Sequence, residues 1–74
     1  MTTEIQEALI TYLGAKRRFY DSLKSYRQCK RNCRFGGRWP KMTRDAKRRY
    51  FEAAETLHTD MTRYYYLKRQ LKAA

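Results

Sequence analysis

The sequence predicts an all-α fold, an antiparallel hairpin of two long helices, and three observations carry that prediction. Apolar residues recur at alternating spacings of four and three along both halves of the chain. No alternating strand pattern competes with them. The only proline and two of the three glycines fall together in FGGRWP, near the middle. The helices are expected at about 3–33 and 42–72, with the turn at about 34–41, in a single small domain spanning 1–74.

The first helix opens on TEIQ, which fits a capping box. The Thr3 hydroxyl would accept from the Gln6 amide while the Gln6 side chain reaches back. From there Ile5, Leu9, Tyr12, Phe19, Leu23, Tyr26 and Cys33 form a heptad-like seam whose missing members are Lys16 and Lys30. Gly14 costs about 1 kcal/mol against Ala and is read as room for a close helix approach. Gly36 and Gly37 suit the left-handed conformation that ends a helix. Trp39, preceding Pro40, is expected to be extended.

Thr43 reads as the N-cap of the second helix, and Pro40 is acceptable only at or before its first turn. Ala46, Tyr50, Ala53, Leu57, Met61, Tyr64, Leu67 and Leu71 make its stripe, with a small phase shift near Met61. Folding at the glycine pair sets residue i opposite about 74 − i, so Leu23 meets Tyr50, Phe19 approaches Ala54 and Tyr12 approaches Met61. Tyr20, Phe51, Tyr65 and Tyr66 fall outside this seam. They form a second apolar flank that wants a partner. Either two hairpins dimerise into a four-helix bundle, or one hairpin docks on another macromolecule.

Charge is segregated along the chain. Residues 16–49 hold fourteen of the eighteen Lys and Arg against Asp21 and Asp45 alone, and residues 1–15 hold only Glu4 and Glu7. In the hairpin this makes a positive pole at the turn end, under a formal net charge of +11. Such a pole concentrates polyanions and makes their binding salt-dependent. Arginine outnumbers lysine in it nine to five, and the planar guanidinium suits phosphate, carboxylate and stacking on rings. The contact residues expected are Arg17, Lys24, Arg27, Lys30, Arg31, Arg34, Arg38, Lys41, Arg44, Lys47 and Arg48, with Phe35 and Trp39 able to stack on bases. The plain alternative is a solvated charge run, with Phe35 and Trp39 capping the bottom of the core.

Metal and catalytic chemistry find little support. Cys29 and Cys33 would lie one turn apart, and the only histidine, His58, falls about 20 Å away by helix rise. A closed zinc site needs four ligands, so no metal and no cofactor is expected, and the thiols are read as packing. No acid–base constellation and no Gly-Lys-Ser/Thr phosphate loop is present, so the chain reads as a non-enzyme. With two cysteines and an acidic start lacking an apolar leader region, it is expected to be cytoplasmic and uncleaved.

Two functional classes follow. The first is a small basic protein that binds RNA or DNA phosphates through the turn end. The alternative is a protein-interaction inhibitor or adaptor, of the phage or plasmid accessory type. It would act on an acidic or nucleoprotein surface through faces rich in Tyr and Arg. A membrane-surface role ranks third, because basic residues encircle the first helix and leave no clean apolar face opposite them.

Overall fold

A computed structural model of the chain describes residues 2–73; Met1 and Ala74, the two ends of the expected domain, lie outside them. Helix α1 (Thr2–Asn32) tightens into a 3-10 turn (Cys33–Phe35), and after a short reversal helix α2 (Trp39–Ala73) returns along it. Among the described residues there is no strand. The molecule is a rod of 57 × 14 × 13 Å. Its radius of gyration is 16.6 Å, where a globular chain of this length would have about 11 Å.

The boundaries differ from expectation at both helix starts. α1 already includes Thr2, so Thr3 sits in the first turn rather than capping it. α2 begins at Trp39, three residues earlier than expected, and the reversal shrinks to residues 36–38. Trp39 is therefore helical, because the pre-proline restriction is a bias and not a bar. Pro40 falls in the first turn, where its missing N–H removes no helix bond. The two central glycines behave as read, with φ of +72° at Gly36 and +63° at Gly37.

The largest correction concerns the seam. Among the described residues the buried ones are Ala8, Ala15, Cys29 and Ala46, and no large side chain is fully buried. On α1 the line facing α2 is thus Ala8, Ala15, Ser22 and Cys29, spaced seven apart, alternating with half-buried Ile5, Tyr12, Phe19, Tyr26 and Cys33. The line drawn from sequence through Leu9, Lys16, Leu23 and Lys30 lies one residue further round. Its leucines are half-buried and its lysines exposed. The apparent gaps at Lys16 and Lys30 belong to that flank, and the true seam has none.

On α2 the stripe holds from Ala46 to Leu67. Leu71 is 48% exposed, because α2 runs past the start of α1. Asp60 and Met61 are both half-buried, so the heptad passes through Asp60 with Met61 beside it. The register is set near the turn, where the Thr43 hydroxyl reaches the Cys29 carbonyl at 3.0 Å, so residue i faces about 72 − i.

Phe19, Tyr26, Tyr50, Leu57 and Tyr64 then fall at the levels of Ala53, Ala46, Ser22, Ala15 and Ala8 on the other helix, and the big side chains fill the sides. Tyr50 lies between Phe19 and Tyr26, with ring centroids at 5.3 and 5.8 Å, and Tyr12 stacks on Tyr64 at 5.7 Å. Such pairs each contribute about 0.5–1.5 kcal/mol beyond the area they bury. Gly14 does not mark a close approach, since a Cβ there would meet nothing within 4 Å.

Candidate nucleic-acid interface

The turn end is held by backbone and one hydroxyl. The Gly36 N–H donates to the Cys33 carbonyl at 3.1 Å, the Trp39 N–H to the Gly36 carbonyl at 3.3 Å, and the Met42 N–H to the Arg38 carbonyl at 3.0 Å. The Thr43 hydroxyl stands 2.7 Å from the Trp39 carbonyl and 3.0 Å from that of Cys29. Its single proton serves these two acceptors, one on each helix. Thr43 is therefore a cross-helix clamp, not an N-cap. It pins the first turn of α2 onto the last turn of α1.

On this support all fourteen Lys and Arg side chains of residues 16–49 are exposed. The predicted cations Arg17, Lys24, Arg27, Lys30, Arg31, Arg34, Arg38, Lys41, Arg44, Lys47 and Arg48 occur on both helices and the turn, within one half of the rod. Counting from residue 16 to the tip, the fourteen cations of residues 16–49 spread over about 30 Å of axis. That is about one cation per 2 Å, against one phosphate per about 1.7 Å of duplex. The outer side of α1 carries a shallow open groove bordered by Lys24, Arg27, Gln28 and Arg31, with Tyr20 at its end away from the turn.

The two predicted stacking residues divide. Trp39 is half-buried on the seam. Phe35 is 67% exposed, with the Arg34 guanidinium 5.0 Å from its ring centroid. The exposed ring and its cation form the outermost aromatic element of the tip, while Trp39 closes the core beneath.

The predicted interface residues also divide. Written as heptads with the seam at a and d, Leu13, Tyr20, Phe51 and Tyr65 all take position b, and all are roughly half exposed. In an antiparallel pair the e and b positions of both helices lie on one side, and the Tyr12–Tyr65 ring contact at 6.2 Å reaches across on that side. Tyr66, the next residue, takes position c, turned toward the other side of α2. It shares a surface depression with Met61, Tyr65 and Arg69. Apart from Tyr66 the opposite side is polar, and there Ser25 of α1 and Arg49 of α2 line the same depression. Leu13 was missed from sequence, although its seven-residue spacing from Tyr20 is a readable signal.

Cys29 is buried and Cys33 half-buried, both as free thiols. Among the described residues no three His, Cys, Asp or Glu side chains gather as metal ligands, and no helix is long and apolar enough to cross a membrane.

The fold and site define a class: a two-helix hairpin with a basic tip and one apolar side. No family model matches the chain, and no characterised protein or solved structure is detectably similar to it.

Proposed function

We propose that the protein is a non-catalytic, cytoplasmic binding module that grips the phosphates of RNA or DNA with the turn half of its hairpin. The observation that carries this reading is the density of exposed cations over that half, about one per 2 Å of axis, nearly matching the phosphate spacing of a duplex. Arginines on both helices would set the register on the backbone, and Phe35 with Arg34 would offer a ring and a cation to an unpaired base. Contacts of this kind position the protein without reading sequence.

A second reading keeps the same tip but gives it an acidic protein surface, with the aromatics Tyr20, Phe51, Tyr65 and Tyr66 as anchors. Their exposure of 45–60% is what favours it. The two readings separate in one experiment. Fluorescence anisotropy with a labelled single strand and a labelled duplex is followed across a salt titration. The protein is compared with an Arg34→Glu/Arg38→Glu variant and with a Tyr65→Ala/Tyr66→Ala variant. The nucleic-acid reading expects binding that weakens steeply with salt and is lost on charge reversal but not on Tyr replacement. Absence of binding at low salt, or binding indifferent to salt, sinks it.

A further inference from the structure

We infer that the apolar side of the hairpin is covered by a second copy of the same chain, laid antiparallel. The hairpin alone is one seam thick. Among the described residues it buries only alanines and a cysteine, and no large side chain is fully enclosed. Its accessible surface is 6344 Å², where a folded monomer of 9.1 kDa would expose about 4,900 Å². The excess is not spread evenly. Leu13, Tyr20, Phe51 and Tyr65 all fall on one lateral side, flanked by Leu9 and Met61, while the other side is polar apart from Tyr66. Lys16 and His58 interrupt this side, and such side chains lay an apolar body on a surface while the polar end stays wet.

The register fixes where the second copy lies. With residue i facing about 72 − i, Tyr65 stands at the level of Glu7, and Phe51 within one residue of the level of Tyr20. The apolar zone therefore runs from about residue 6 to about residue 23 of α1, centred near Leu13. A twofold axis through Leu13, perpendicular to the rod, sets the Tyr20–Phe51 layer of one copy against the Tyr65 layer of the other. The overlap is about 40 Å long on a rod 14 Å across. Its footprint of about 600 Å² per chain approaches the roughly 800 Å² per partner of a stable interface.

Charge decides the direction. A parallel pair would bring two sets of fourteen clustered cations side by side. The antiparallel pair places the two glycine turns about 70 Å apart, many times the Debye length of about 8 Å at physiological salt. Both tips then overhang the partner's end and stay open.

The test needs no nucleic acid, so its outcome is separate from that of the binding reading. Light scattering at micromolar concentration is expected to give twice the 9.1 kDa chain mass. Leu13→Glu or Phe51→Glu is expected to halve it. Ile10→Glu, at a residue 70% exposed but on the outer side of α1, is expected to leave it unchanged. A monomeric wild-type protein overturns the proposal, as does a dimer untouched by both Glu substitutions at Leu13 and Phe51.

Should those variants fail to fold, the direction is still read in an Arg38→Cys protein lacking Cys29 and Cys33 (both replaced by Ala). Spin labels at its two tips are expected about 60 Å apart. The parallel arrangement puts them no further apart than two rod widths of 14 Å, and a distance in that range refutes the pairing.

Discussion

The same chemical change, glycine to alanine, is expected to act with opposite signs at the three glycines of this chain. At Gly14, Gly36 and Gly37 a Cβ would meet nothing within 4 Å, so packing drops out of the comparison. Only the backbone decides. Gly14 lies within α1, where alanine is the better helix former, and Gly14→Ala should stabilise by about 0.5–1 kcal/mol. Gly36 sits at φ 72°, ψ −150°, a region that only glycine enters freely, and Gly36→Ala should cost about 1–3 kcal/mol. Gly37, at φ 63°, should cost about 1–2 kcal/mol on the same replacement. For a domain of this size each kcal/mol moves the melting temperature by about 4–8 °C. Circular dichroism melts at one fixed protein concentration should therefore place Gly14→Ala above wild type by about 4 °C and Gly36→Ala below it by about 10 °C. A Gly36→Ala protein that melts with wild type would refute the assignment of the reversal to that residue.

Three further expectations follow from the seam, the clamp and the tip. Ala15→Leu forces a large side chain into the helix contact and should destabilise by about 1–3 kcal/mol in urea unfolding, whereas Lys16→Leu, on the flank, should not destabilise; the reverse result would restore the seam through Lys16. Thr43→Val keeps the shape but removes the hydroxyl from the Cys29 carbonyl, costing about 1 kcal/mol, and Thr43→Ser should stay closer to wild type in the same assay. If the tip neutralises about six phosphates, the logarithm of the duplex binding constant should fall with a slope of about −5 against log salt. Arg34→Gln/Arg38→Gln should lower that slope by about 2, and by the same amount for unrelated sequences.

How much of this was legible in the sequence depends on what each signal measures. Hairpin, turn and basic pole were readable because they rest on composition and spacing: FGGRWP for the reversal, fourteen cations between residues 16 and 49 for the pole. The seam line through Ile5, Tyr12, Phe19, Tyr26 and Cys33 follows from hydrophobicity, but hydrophobicity sets its companion line one residue off, through Leu9 and Leu23. Leu9 and Leu23 outrank Ala8 and Ser22 on any hydropathy scale, yet two helices pressed closely together favour small residues at the contact and push leucines to its edge. The clue was present in the seven-residue spacing of Ala8, Ala15, Ser22 and Cys29, which apolar periodicity overlooks because serine breaks it. Thr43 departs from its expected role for a related reason. Its type fits an N-cap, but its hydroxyl also fits any carbonyl that comes within reach, and only the fold brings that of Cys29 there.

The small-residue seam also accounts for the apolar side. Where one contact line of α1 is alanine, serine and cysteine, the facing rings lie to either side of it. Tyr12, Phe19, Tyr26, Tyr50 and Tyr64 then stack along the edges of the seam, each half-buried. Tyr20, Phe51 and Tyr65 lean on those rings from outside, with Tyr20 edge-on to Phe19 at 5.5 Å. Replacing Ser22 and Ala15 with leucine would widen the hairpin and change what its flank presents. The narrow seam and the exposed aromatic side are thus one feature: a hairpin built this way keeps its large rings at the surface, where they support a second layer. The cations nearer the tip, Arg27 and Arg44 at one level and Lys30 beyond it, mark where such a layer must end.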